Sequence, residues 1–242
     1  MIAVDVQYRP LGFLPAARKS FFLPVRWSEL SEQQLENVSL VLNPDVNEDI
    51  LISLILRMSR LFARRLDSYQ KFSILRQLKY LRQSDTCDMF IITRLSGLHA
   101  PERYLRNVTF GQFIFGDTYW LSYIDGRKED LNNFLACFYT AGKFSDSDIE
   151  KNAALISQES RKKREAIAFN YGLIREWLAK RYKYVFEKQT KKRKRTRSNG
   201  WVGVFDAVVG DDIINADKYA DTPLSQVLRY MDNKIKEQIK KN

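Results

Sequence analysis

Histidine is almost missing from this chain: there is one, His99, in 242 residues, with only two cysteines, Cys87 and Cys137. A single imidazole excludes most histidine-dependent hydrolase chemistry and histidine-rich metal centres. Two thiols make neither a disulfide framework nor, alone, a zinc site, and they suit a reducing compartment. No apolar run approaches the roughly 18 residues that cross a bilayer. The opening Met1-Ile2-Ala3-Val4-Asp5 lacks the basic start and apolar stretch of a signal peptide. Neither a membrane nor secretion is therefore expected. Glycine is sparse as well, and neither a P-loop nor a dinucleotide-binding glycine fingerprint occurs.

What the chain does have is an ordinary share of apolar residues, 45%, and of charged ones, 29%, enough to fold around a core. Its charge is uneven. Lys and Arg total 40 against 29 Asp and Glu, a formal +11. Residues 161–197 alone hold fifteen basic and three acidic residues, so the remainder is close to neutral. Two clusters make up the basic segment. Arg161, Lys162, Lys163 and Arg164 open a helical stretch. Lys191, Lys192, Arg193, Lys194, Arg195 and Arg197 lie in a polar connection, 187–200. Such a run attracts phosphates or acidic protein surfaces in a salt-dependent way. It reads equally as a solvated loop between two helices, and no aromatic residue interleaves it to stack bases.

The pattern along the chain predicts a mainly α protein, an irregular bundle of roughly seven to nine helices, with an extended N-terminal arm or short hairpin over 1–26. Val4, Val6 and Tyr8 alternate there before Pro10, Gly12 and Pro15. Residues 27–186 form the main helical domain, and 201–242 a C-terminal helical pair. Ser31 with Gln34 is a capping box ahead of Leu35, Val38, Val41 and Leu42. Asn47 caps a helix whose stripe runs from Ile50 to Phe62, and Phe72, Leu75, Leu78 and Leu81 share a third segment, about 68–82. Helical spacing fails over 85–100, where Met89 to Ile92 suit a short strand. Thr109 caps the next helix, and a long helix, broken at most once, is expected over 147–186. Thr222-Pro223 opens the last one, with Leu224, Val227, Leu228, Met231, Ile235 and Ile239 on one face. Those residues, Ile239 aside, are the candidate partner-binding face, the alternative being core packing.

No catalytic or metal-ligating constellation emerges, and no cofactor is expected. Gly210-Asp211-Asp212 spells a polymerase metal motif but follows a helix rather than sitting in a hairpin, so it reads as a helix end and turn. His99 has no Ser, Cys or Asp at a diagnostic spacing. Asp117 falls on the apolar face shared by Phe110 and Leu121, and a carboxylate there requires a partner. Tyr8, Tyr104, Tyr119 or an arginine of the long helix would serve, giving Asp117 a structural, hydrogen-bonded role.

One spaced pattern is more specific. It joins Leu23-Pro24, Trp27, Glu29-Leu30-Ser31 and Gln34-Leu35 to Pro101 and Leu105-Arg106-Asn107-Val108-Thr109-Phe110-Gly111-Gln112-Phe113. It continues through Asp117, Tyr119, Tyr123, Leu131, Leu135-Ala136 and Tyr139 to Trp201. This resembles a family of phage and prophage proteins of Bacteroidetes-type bacteria from tail-morphogenesis gene clusters. The chain departs from that family at Phe138-Tyr139-Thr140, where a basic residue and a proline are usual, and at Gln112, where an acid is. The resemblance implies a non-enzymatic role in virion assembly, as a tail-assembly chaperone or minor tail component. Its partners would be other phage proteins of tail or tape-measure type, in the host cytoplasm during assembly or in the virion, with self-association compatible. The alternative is a nucleic-acid-associated protein that uses the basic segment on DNA, and an acidic protein surface is a further target for the same charges.

Overall fold

The computed structural model describes residues 1–8, 17–42, 46–82, 86–186, 201–210, 212 and 215–241. Among them the chain is mainly α, an irregular multi-helix arrangement with two small two-stranded sheets. It divides into two compact units, Met1–Cys87 and Asp88–Asn242. The boundary falls where the helical pattern of the sequence breaks, and the span 27–186 runs through both units.

In the first unit, the described residues of 1–26 include two paired strands, as the hairpin form requires. β1 (Ile2–Tyr8) pairs antiparallel with β2 (Ala17–Leu23), from Ile2 opposite Leu23 to Tyr8 opposite Ala17. Period-two alternation puts Val6 and Leu23 on the same face, and both are fully buried. Pro10, Gly12 and Pro15 lie outside the described residues. α1 (Glu32–Val41) starts at the Ser31 capping box, closed by Gln34 Oε1 accepting from the Ser31 N–H at 2.8 Å. The same Gln34 donates its amide to the carbonyl of Ile55 at 2.5 Å, where α2 (Glu48–Ile55) ends. The stripe expected to run unbroken from Ile50 to Phe62 is split here. Arg57 adopts a left-handed φ of 53°, and the Ser59 hydroxyl accepts from Phe62 N–H at 3.2 Å to start α3 (Arg60–Arg64). Serine prefers that capping role to a helix interior.

α4 (Ser68–Gln77) starts at a third-residue glutamine too: Asp67 and Gln70 form its capping box. The Gln70 amide then donates to the Gln7 carbonyl of β1 at 3.1 Å. α5 (Lys79–Arg82) follows after an interruption at Leu78. Phe72, expected inside with Leu75, Leu78 and Leu81, is instead 65% exposed. The buried face is set by Ile74 and Leu78, and two helical residues turn Phe72 about 200° away from Ile74.

The second unit opens without the strand expected at Met89 to Ile92. Asn170 takes the place of a neighbouring strand, its Oδ1 accepting from Ile91 N–H at 2.8 Å and its Nδ2 donating to the Met89 carbonyl at 3.3 Å. The pairing that does form, β3 (Arg94–Leu95) with β4 (Leu98–His99), turns through Ser96 and Gly97, both at positive φ. α6 (Phe110–Ile124), α8 (Ile149–Ile156) and α9 (Arg161–Arg181) pack against α7 (Asp130–Phe138). The expected long helix is broken twice: before Arg161, where the Ser160 hydroxyl restarts it by accepting from Lys163 N–H at 3.2 Å, and at Tyr182, after which helix resumes over 183–186. Phe90, Phe134, Phe138 and Tyr171 share the core, with Phe138 and Tyr171 centroids 4.9 Å apart. α6 approaches this cluster closely at Gly116, where an added Cβ would stand 2.3 Å from the Phe138 ring.

α10 (Trp201–Val209), α11 (Ala216–Ala220) and α12 (Leu224–Lys241) complete the unit. Gly210 ends α10 in a left-handed conformation, φ 57°, so the Gly-Asp-Asp string sits at a helix terminus, its Asp211 outside the described residues. The start of α12 is pinned to the start of α6: Phe110 N–H donates to Thr222 O at 2.9 Å and Leu224 N–H to Val108 O at 3.0 Å. The Thr222 hydroxyl donates to the Lys218 carbonyl at 2.8 Å rather than capping α12. More helices form than the periodicity suggested, because hydroxyl caps at Ser59 and Ser160 cut continuous apolar stripes.

Candidate functional site

α6 carries Phe110, Phe113 and Asp117 to the interior on one face, and Asp117 has no solvent exposure. Its carboxylate is surrounded by donors. Oδ1 accepts from the Tyr171 hydroxyl at 3.0 Å and from Arg175 Nε at 2.8 Å, and Oδ2 accepts from the Trp201 indole N–H at 2.6 Å. The arginine comes from α9, the long helix. Trp201 is a partner that spacing along the sequence does not reveal, since it stands 84 residues away. The Arg175 guanidinium lies over the rings of Trp120 and Phe186, 5.5 and 5.6 Å from their centroids. Burial pushes the Tyr171 hydroxyl well above its ordinary range, and the Asp117 charge adds to this. For Arg175, burial opposes the charged form, but Asp117 more than offsets it and the net shift is upward. Chemically this is a closed, charge-compensated node. It fastens α10, through Trp201, to α6 and α9.

Among the described residues, the basic cluster at the start of α9 does not form one open surface. Arg161 is exposed, but its Nε pairs with Glu165 at 2.8 Å. Lys162, Lys163 and Arg164 are half-buried. Lys163 reaches Glu159 at 3.5 Å, and Arg164 donates to Asn132 Oδ1 at 2.6 Å. The helical part of the basic segment is thus turned largely toward its own unit. Lys191, Lys192, Arg193, Lys194, Arg195 and Arg197 lie outside the described residues.

The candidate partner-binding face on α12 is divided. Leu224, Val227 and Leu228 are buried in the second unit's own core, so they are not available to a partner. Met231 and Ile235 are half-buried, and Ile239 is 58% exposed. The stripe begins as core and continues beyond it.

The described residues also form concave surfaces. A cavity of about 410 Å³ in the second unit is lined by His99, Asn107, Thr140 and Lys143 among others. The Lys143 ammonium there is paired with Asp221 at 2.8 Å, and the backbones of His99 and Thr140 bridge each other. In the first unit a largely apolar groove of about 600 Å³ runs past Leu51, Phe72 and Leu75. The exposure of Phe72 beside this groove is the feature that sequence spacing placed wrongly. Both thiols are buried, and burial pushes that of Cys137 upward. Among the described residues, no group of three or more His, Cys, Asp or Glu is placed to hold a metal ion, and no helix is long and apolar enough to cross a membrane.

No family model, no curated protein and no solved structure matches this chain.

Proposed function

We propose that this protein is a non-enzymatic phage morphogenesis protein, a tail-assembly chaperone or minor tail component, that acts by binding other phage proteins in the host cytoplasm during assembly. The observation that carries the reading is the α12 stripe. Its first residues are seated in the core, while Met231, Ile235 and Ile239 extend the same apolar face past it. A helix fixed at one end with apolar side chains left over at the other suits helix-in-groove or helix-on-helix recognition. The resemblance to proteins of tail-morphogenesis clusters supplies the biological setting, and the pairing of Arg161, Lys163 and Arg164 within their own unit favours it over phosphate binding by that cluster.

The test is a tagged pull-down from host cells expressing the surrounding gene cluster, run with and without nuclease and washed with graded salt. Retention of a helical phage protein after nuclease and high salt supports assembly. Recovery of nucleic acid alone, released at modest salt, refutes it and assigns the function to the basic run, whose replacement by Gln or Ser would then flatten the salt dependence.

A further inference from the structure

We propose that the free end of α12 docks an acidic amphipathic helix of a partner protein, a step that rests on the binding role proposed above. Leu224, Leu228, Met231, Ile235 and Ile239 recur at spacings of four, three, four and four, so they share one azimuth on the helix. Leu224 and Leu228 are sunk in the unit. Asp232 makes a further tie, accepting from the Tyr184 backbone N–H at 2.9 Å. Beyond it the helix continues for roughly 15 Å, carrying Ile235 half-buried and Ile239 58% exposed.

The charge around this stretch selects the occupant. Lys234 and Lys236 flank Ile235 on either side, and Lys240 adjoins Ile239, with Glu237 the acid among them. All three lysines are exposed. An apolar stripe framed by ammonium groups complements an apolar stripe framed by carboxylates. A second copy of the same surface would oppose lysine to lysine, which disfavours self-pairing. An anionic bilayer matches the charge but not the shape. Because the free apolar positions share the azimuth of the buried leucines, they face the side of α12 on which the unit itself lies. A flat surface meets that body on the same side, whereas a single helix about 10 Å across needs only the exposed end of α12.

The probe is a labelled amphipathic peptide about three heptads long, with leucine at the core positions and glutamate at the flanks, titrated against the full chain by fluorescence anisotropy. A second peptide carries lysine at the flanks, and phosphatidylglycerol vesicles serve as the lipid probe. The acidic peptide is expected to bind and the basic one to fail. The double substitution Lys234→Glu with Lys236→Glu, on exposed positions that leave the fold intact, weakens the acidic peptide about tenfold and admits the basic one. Ile239→Asp weakens it by a similar factor. Equal binding of both peptides, binding of neither, or binding of vesicles without the acidic peptide overturns the proposal. In the pull-down, a phage partner retained equally by wild type and by the lysine and Ile239 variants leaves the assembly reading standing and removes α12 as its site. Lysine-dependent binding of the acidic peptide, with no phage protein captured, keeps the docking site and removes the assembly reading.

Discussion

Replacing Asp117 with alanine removes the acceptor for three donors at once: Tyr171, Arg175 and Trp201. Breaking a buried ion pair from one side costs roughly 3–5 kcal/mol, because the surviving charge is stranded. Arg175 keeps 23% of its side chain exposed, so part of its charge can turn to water, which sets the ionic share near the lower end. The Trp201 N–H and the Tyr171 hydroxyl lose their acceptor inside the core, each a penalty of about 1–3 kcal/mol in isolation and less in sum, since the three share one site. A total near 4 kcal/mol is expected for Asp117→Ala. The isosteric Asp117→Asn keeps the shape but points an amide N–H₂ at one set of donors, and about 2–3 kcal/mol is expected. Adding Arg175→Met to Asp117→Ala should recover about 2 kcal/mol, because an apolar side chain replaces a stranded cation. The assay is urea unfolding combined with hydrogen exchange read by segment. α10 should lose protection more than α7, since Trp201 is its anchor and α7 makes no hydrogen bond to the carboxylate. An Asp117→Ala protein with an unchanged urea midpoint and unchanged exchange in α10 would falsify the anchoring role.

Gly116→Ala places a methyl 2.3 Å from the Phe138 ring, which is itself enclosed by Phe90, Phe134 and Tyr171; a loss of about 1–3 kcal/mol is expected from thermal unfolding. Gln112→Glu keeps the capping box but turns the donor to the Cys137 carbonyl, 2.8 Å away, into a second acceptor, and should cost about 1–3 kcal/mol; equal stability of the glutamate form would show that this contact carries no weight. The Glu29 carboxyl is lowered from 4.5 to about 2, first by the N-terminal ammonium and then by the Val25 N–H. A depressed carboxylate stabilises the fold above its unfolded pKa and ceases to as pH falls through its folded value. Melting temperature should therefore drop between pH 4.5 and about 2, and N-terminal acetylation should make that drop shallower.

Some side chains that serve their own helix were legible in the sequence, while the caps at Ser59 and Ser160 were not. Ser31 with Gln34, Asn47 and Thr109 cap as their spacing indicates, and Ile167, Tyr171, Ile174, Leu178 and Tyr182 form the buried face of the long helix and its end. The need of Asp117 for a partner followed from its place on an apolar face, and an arginine from the long helix was among the candidates. The indole of Trp201 was not, because a donor 84 residues away leaves no periodic trace. Asn170 escaped for a related reason: an asparagine on a helix looks like ordinary polar surface until the backbone of residues 89–91 is laid against it. The α12 stripe shows the reverse limit. Its six apolar positions are indistinguishable in spacing, and only the fold separates Leu224, Val227 and Leu228, which the core consumes, from Ile239, which it leaves outside.

The glutamines at the third position of α1, α4 and α6 behave alike. Each closes its own capping box and spends its amide on a distant carbonyl: Ile55 for Gln34, Gln7 for Gln70, Cys137 for Gln112. A glutamate would complete the box but has no hydrogen to give. Two of these carbonyls lie in the last turn of a neighbouring helix, among the acceptors that a helix leaves without an internal partner. One side chain therefore terminates two helices, the beginning of one and the end of another. Fraying at one end is thereby coupled to fraying at the other, by about the 0.5–1.5 kcal/mol net worth of one hydrogen bond. When the first turn of α1 loosens, the last turn of α2 loses its donor in the same event, and α6 and α7 are yoked in the same way.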